Sequence, residues 1–146
     1  MKRRLLVGLA MLTACLLATV AVKPAWAISQ FKKEFEAKYV KPDSKDPKDV
    51  AFAQAVAEAK CNLCHEGTSK KNRNLYGQAL DKLLDRRLDA RNPEKIRQAL
   101  DAVAKLPSRP RKPDEPKDVK IPTFGELIAQ GKLPVPLPKK EDEEQK

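Results

Sequence analysis

Cys61, Cys64 and His65 are the residues of this 146-residue chain whose types and spacing can carry chemistry. Two thiols lie three positions apart, and a histidine directly follows the second one, in the pattern C-x-x-C-H. Thiols at this spacing can form thioether bonds with the two vinyl groups of a single haem, while the adjacent histidine binds the iron as proximal ligand. The motif therefore predicts one covalent haem c, held by Cys61 and Cys64 and ligated by His65.

Three other chemistries use the same residue types. A redox-active dithiol normally lies at the start of a helix in a βαβ unit, whereas here an alanine-rich helical segment runs into Cys61. A zinc site needs three or four ligands, and carboxylates would have to complete it, because no other Cys or His follows residue 27. A structural disulfide with an incidental histidine is the third alternative.

The first 27 residues have the pattern of a secretory signal peptide. A basic start is followed by an apolar run from Leu5 to Val22 and by Ala25-Trp26-Ala27, a typical small-x-small cleavage site. Because the apolar run is close to the length of a membrane span, a retained anchor is an alternative. Leu12-Thr13-Ala14-Cys15 also resembles the cleavage box of bacterial lipoproteins. Each alternative predicts a periplasmic or otherwise extracytoplasmic protein.

The charge of the remaining chain restricts its partners. The first 27 residues contain four basic and no acidic residues, which leaves 26 basic and 20 acidic residues and a net charge of +6. Positive charge favours acidic protein surfaces, anionic lipid or nucleic acid. Export and the absence of a nucleic-acid reading motif argue against nucleic acid.

Helical periodicity and capping residues predict an all-α fold. A first helix from Ser29 carries the aromatic stripe Phe31, Phe35 and Tyr39 and ends before Pro42. Asp46-Pro47 then opens a helix that continues from Val50 to Lys60, directly ahead of the motif.

Three further elements follow the motif. Leu80, Leu83, Leu84 and Leu88 mark the apolar face of a predicted third helix, and Asn92-Pro93 opens a fourth. Thr123 caps a last short helix, and the proline-rich chain beyond Gly131 is expected to be disordered. The predicted layout is a signal peptide or anchor (1–27), an N-terminal helix and connector (28–47), a haem domain (48–106), a linker with a short docking helix (107–134) and a disordered tail (135–146).

From residue 50 to residue 106 the chain resembles the class I c-type cytochromes. In that family a helix leads into C-x-x-C-H, a loop and a short turn similar to Asn74-Leu75-Tyr76-Gly77 follow, and a later helix packs across the first. The resemblance implies a small helical cytochrome c-like domain in which the haem forms much of the core. We expect Tyr76 to contact the haem edge or a haem propionate.

The chain departs from this family at the sixth iron ligand. The usual methionine-bearing loop is missing, Met1 and Met11 lie in the leader, and no second histidine is present. The distal side is therefore expected to be open or bound by water, Tyr76, a partner's residue or a lysine. Burial near the haem can lower the proton affinity of a lysine enough for it to bind iron. The candidate lysines are Lys70, Lys71 and Lys120.

These observations predict an electron carrier rather than an enzyme. One-electron transfer with exported redox proteins is the leading function, and Lys70, Lys71 and Arg73 are expected to attract acidic partner surfaces. A five-coordinate haem that binds a small gas or peroxide is the alternative function. A third interpretation is a haem-bearing subunit of a larger redox complex. Without a methionine ligand, the reduction potential should be lower than that of a His/Met cytochrome.

Overall fold

The computed structural model describes residues 26–137, and these residues are helical with irregular connections. Its five α-helices are α1 (Trp26–Tyr39), α2 (Pro47–Ala59), α3 (Leu75–Asp81), α4 (Pro93–Ala104) and α5 (Phe124–Ala129). A 3-10 turn, Lys60–Leu63, directly follows α2. Within the described part of the chain, β-pairing is limited to two isolated bridges, so the all-α prediction is confirmed.

Predictions for the leader and for the last nine residues lie outside residues 26–137. None of the helices in that range has the length and apolar character of a membrane span. The first helix begins at Trp26, three residues before the predicted start at Ser29.

The capping residues are confirmed at three helix starts. Asp46 accepts a hydrogen bond from the Lys48 amide at 2.8 Å, and Asn92 accepts one from the Lys95 amide at 3.0 Å. Thr123 forms a reciprocal capping box with Glu126. Each cap satisfies an amide that the helix itself leaves unpaired, and a proline at the first position of α2 and of α4 fits a site that needs no donor.

Helix α1 packs along α4. Arg97 pairs with Glu34 at 2.9 Å, Lys38 pairs with Asp101 at 2.9 Å, and the Tyr39 hydroxyl donates to the Leu100 carbonyl at 3.3 Å. Because residue numbers rise together along both helices, α1 and α4 run in the same direction.

An apolar core joins all the helices. Tyr76 and Ile96 are completely buried, and the Phe35 and Phe124 rings lie 5.9 and 5.1 Å from the Tyr76 ring. The buried apolar residues are Phe35, Phe52, Val56, Ala59, Leu63, Tyr76, Leu80, Leu84, Ile96, Ala99, Leu100, Val103, Phe124 and Ile128.

The predicted third helix is wrong in its extent. Helix α3 runs only from Leu75 to Asp81, and the segment that follows it exposes Leu83 and Leu88 while it buries Leu84. The Asp85 carboxylate accepts hydrogen bonds from the amides of Arg87 and Leu88 at 2.7 and 2.8 Å. An aspartate that binds backbone amides in this way competes with the helical pattern, so the chain forms turns here.

The C-terminal part of the described chain lies on the core. The Ser108 amide donates to the Pro122 carbonyl at 2.9 Å, so the proline-rich segment between them is a closed loop. Beyond Gly131, Pro134 is buried, and Leu133, Val135 and Leu137 pack against the core. Residues 131–137 thus differ from the expected disordered tail, because alternate apolar side chains of this segment find core contacts.

Candidate haem site

The C-x-x-C-H motif lies where α2 ends. Lys60, with φ 47°, turns the chain out of the helix and into the 3-10 turn that carries Cys61 and is followed by Cys64. The His65 amide donates to the Cys61 carbonyl at 3.0 Å, so the motif closes on itself. Both thiols are free, with Cys61 exposed and Cys64 half-buried.

The ring of His65 is oriented by the loop that follows it. Its Nδ1 lies 3.1 Å from the Asn72 carbonyl oxygen, which also accepts the Glu66 amide at 3.2 Å. Since a carbonyl only accepts, Nδ1 carries a proton, and in the neutral ring the lone pair is then on Nε2. A backbone carbonyl on the far nitrogen is a common arrangement for a metal-binding histidine, so His65 is prepared to bind a metal through Nε2.

Asn74 holds the motif from the other side. Its Nδ2 lies 3.0, 3.2 and 3.4 Å from the carbonyl oxygens of Asn62, Leu63 and His65, and its Oδ1 accepts the Gly77 amide at 2.9 Å. The Asn74 amide also donates to the Cys64 carbonyl at 3.1 Å. One buried side chain therefore caps α3 and fixes the backbone of the motif. Sequence reasoning missed this role because the contacts join residues that are distant in sequence.

Gly77 allows α3 to approach the motif closely. A Cβ at this position would lie 1.9 Å from the Cys64 carbonyl oxygen, well inside contact distance. Only glycine therefore fits this contact without movement of the motif backbone. The short turn from Asn74 to Gly77 is thus the structural support of the motif.

A cavity of about 520 Å³ opens beside the motif. This volume lies within the range of about 300–1,000 Å³ that is usual for small-molecule and cofactor sites. Cys61, Cys64 and His65 all line it, so the structure brings the three predicted residues to one cavity. The other lining residues are Phe31, Lys32, Lys60, Leu63, Lys70, Arg73, Gly77, Leu80, Asp81, Leu84 and Arg86.

Basic side chains dominate the charged part of the cavity lining. Arg73 pairs with Asp81 at 2.9 Å, and Lys32 pairs with Glu36. The other basic lining residues, which form no ion pair within residues 26–137, are Lys60, Lys70 and Arg86. An anionic group in the cavity, such as the two propionates of a haem, would find these three cations nearby.

The predicted distal residues separate into two groups. Lys70 lines the cavity, whereas Lys71 does not, and Lys120 pairs with Glu126 of α5. Tyr76, expected at the haem edge, lies in the core and is not among the lining residues. Its buried hydroxyl has no hydrogen-bond partner among the described residues. Burial and, next, the neighbouring Cys64 raise the pKa of Tyr76 well above its usual value.

The position of the motif bears on the dithiol alternative. Redox-active dithiols often lie at a helix N-terminus, which lowers the pKa of the attacking thiol, whereas this motif follows the C-terminus of α2. Burial, followed by the nearby Cys61, raises the pKa of the Cys64 thiol to about 12, so this thiol is protonated at neutral pH. Within residues 26–137, no three His, Cys, Asp or Glu side chains are grouped so that they could hold a zinc ion.

The residues of the site fit the requirements of a c-type haem. Two unbridged thiols and a histidine with a free Nε2 line one largely apolar cavity, and Gly77 keeps its wall close to the motif. No family model, curated protein or solved structure was found to match this chain. The functional assignment therefore depends on the motif and on the geometry around it.

Proposed function

We propose that this protein is an exported monohaem c-type cytochrome that carries single electrons between redox partners. The observation that supports this function best is the arrangement of Cys61, Cys64 and His65 along one cavity, with Nδ1 of His65 bound to the Asn72 carbonyl. That hydrogen bond leaves Nε2 as the metal-binding atom and limits rotation of the ring.

The chain's own residues have distinct parts in this function. Cys61 and Cys64 fix the group covalently, His65 is the proximal ligand, and the apolar wall of Leu63, Leu80 and Leu84 keeps water away from it. When bound, a haem supplies a reversible Fe(II)/Fe(III) couple. Lys60, Lys70 and Arg86 favour the propionates and an acidic partner surface at the cavity.

One feature of the cavity favours a second candidate function. Neither methionine nor a second histidine is among the lining residues of the described chain, and Lys70 is exposed. An iron ligated by His65 alone on the protein side would be open to carbon monoxide, another small gas or peroxide. The second function is thus gas binding or weak peroxide chemistry.

The test is an absorption spectrum of protein produced with an export signal and a haem-attachment system. We expect haem that stays on the chain after acid–acetone extraction and denaturation. The double variant Cys61→Ser/Cys64→Ser should retain none. Haem-free parent protein, or equal haem in the double variant, would refute the proposal.

The same sample separates the two functions. A six-coordinate low-spin spectrum that carbon monoxide does not change supports electron transfer with an internal sixth ligand. Lys70→Ala should convert that spectrum to high spin if Lys70 is the ligand. High-spin ferrous haem that binds carbon monoxide without denaturant supports the second function.

A further inference from the structure

The parallel packing of α1 and α4 brings the N-terminus of the described chain to a defined end of the molecule. The pairs Glu34–Arg97 and Lys38–Asp101 have the same sequence offset of 63 residues. If the same offset holds for the one to two turns of α1 that precede Glu34, the first turn of α1 lies beside Asn92 and the segment that leads into α4. Trp26 and residues 82–92 therefore lie at the same end of the molecule, which we call the N-terminal end.

The N-terminal end carries exposed leucines. Leu88 is 80% exposed and Leu83 is 43% exposed, although buried Leu84 lies between them in sequence. The Leu88 position is fixed, because the Asp85 carboxylate accepts the Leu88 amide at 2.8 Å and the Asp89 carboxylate accepts the Asp85 amide at 2.7 Å. Leu83 and Leu88 thus expose apolar side chains from a segment whose turns are fixed by hydrogen bonds.

Basic residues flank these leucines in sequence. Lys82, Arg86, Arg87 and Arg91 are all exposed. The acidic residues of the same segment serve the fold: Asp85 caps the turn, and Asp89 is buried and pairs with Lys95 at 2.8 Å. Glu94, in the first turn of α4, is exposed, and residues 82–95 still have a net charge of +2.

The sequence that precedes α1 points to the occupant of this surface. In the retained-anchor alternative the apolar run Leu5–Val22 stays on the chain, and it ends only four residues before Trp26, at the N-terminal end. Exposed leucines among arginines suit a lipid interface, where apolar groups enter the acyl boundary and cations contact anionic headgroups.

We propose that residues 82–91 dock the protein on an anionic lipid bilayer. Because Phe31, Leu84 and Arg86 also line the cavity, this docking places the cavity beside the membrane surface. The inference goes beyond the proposed function and does not require a haem, so the haem content of the same sample tests the proposed function separately.

Amide hydrogen exchange tests the docking. The exported protein, with the N-terminus that the cell leaves on it, is measured alone, with bilayers of phosphatidylcholine, and with bilayers of equal parts phosphatidylcholine and phosphatidylglycerol. We expect exchange in residues 82–91 to slow severalfold with phosphatidylglycerol only. Residues 108–120, which follow the opposite end of α4 about 18 Å away, should not change.

Matched variants locate the contact. Arg87→Gln/Arg91→Gln should weaken binding to the anionic bilayer about 30-fold, at roughly 1 kcal/mol for each basic residue at the surface, and Leu88→Gln should weaken it further. Lys105→Gln/Leu106→Gln changes an exposed basic–leucine pair at the other end of α4 and should leave binding unchanged. If the cell retains the N-terminal segment, the exchange of residues 82–91 replaces binding as the readout for these variants.

Several results would overturn the proposal. One is unchanged exchange in residues 82–91 with anionic bilayers, and another is an equal effect of the two sets of variants. Slower exchange with polyglutamate and not with bilayers would indicate an acidic protein partner instead. Slower exchange at higher protein concentration without lipid would indicate a second copy of the chain.

Discussion

Replacing Gly77 with alanine is expected to disturb the motif and to lower the free energy of unfolding by about 2 kcal/mol. The new Cβ would lie 1.9 Å from the Cys64 carbonyl oxygen, 2.9 Å from its carbonyl carbon and 3.2 Å from its Cα. All three atoms belong to the backbone and cannot rotate away, so α3 and the motif must separate by about 1 Å or more. Overpacking costs about 3 kcal/mol at the upper end of its usual range, and the better helix propensity of alanine returns about 1 kcal/mol.

The separation should also reduce haem attachment, because the displaced carbonyl is the acceptor for the Asn74 amide. The assays are urea unfolding followed by helical circular dichroism, and the covalent haem per chain measured by absorption. Gly125→Ala is the matched control: its Cβ would meet the Ala104 carbonyl oxygen at 2.8 Å, a smaller overlap far from the motif. We expect a change within about 1 kcal/mol and full haem content for this control. A Gly77→Ala protein with the stability and haem content of the parent would refute the reasoning.

Three further predictions concern the supports of the fold. Asn74→Ala should lower the free energy of unfolding by about 2–3 kcal/mol, since it removes a cap and leaves buried carbonyls unpaired. Asn92→Ala removes a cap alone and should lower the free energy of unfolding by about 1 kcal/mol. Urea unfolding measures both changes. Lys60→Gly should raise the free energy of unfolding by about 1 kcal/mol in the same assay, because φ 47° is strained for lysine. Glu115 is held by Arg109, which lowers the carboxyl pKa from 4.5 to about 2, so its contribution is present above pH 4.5 and lost as the pH falls towards 2. The midpoint temperature of thermal unfolding should therefore fall more steeply between pH 6 and pH 2 for the parent than for Glu115→Gln. Equal slopes would contradict this assignment.

Local signals in the sequence predicted much of the helical framework. Asp46, Asn92 and Thr123 each lie within three residues of the amide that they cap, so a short stretch of sequence contains the whole interaction. Contacts between distant residues were not predictable in this way. The Asn74 side chain reaches a carbonyl twelve positions earlier, and nothing in the four-residue turn from Asn74 to Gly77 indicates which backbone it will meet.

The third helix shows why an apolar period can mislead. Leu80, Leu84 and Leu88 have helical spacing, yet the first two are buried and Leu88 is 80% exposed. The spacing of apolar residues does not take account of Asp85. The Asp85 carboxylate accepts hydrogen bonds from the amides of Arg87 and Leu88, which would otherwise bond to helical carbonyls. A polar side chain that competes for the backbone therefore keeps the segment after α3 out of a helix, and Leu88, an expected core position, lies at the surface.

The segment between α3 and Asn92, residues 82–91, bears on the identity of the sixth iron ligand. A third helix marked by Leu80 to Leu88 would leave only a few residues before Asn92, too few for a methionine-bearing loop. In the structure α3 ends at Asp81, and the longer interval 82–91 contains no methionine and supplies Leu84 and Arg86 to the cavity lining. Its turns are tied down by Asp85 and Asp89, so the segment has little freedom to bring another group across the cavity. Of the three predicted distal lysines, Lys70 is the one that lines the cavity in the described part of the chain. If haem c is attached as proposed, we expect its distal face to be open or to be bound by Lys70, by water or by a partner's residue. A reduction potential as high as that of a His/Met cytochrome would contradict this argument, because methionine is the ligand that raises the potential.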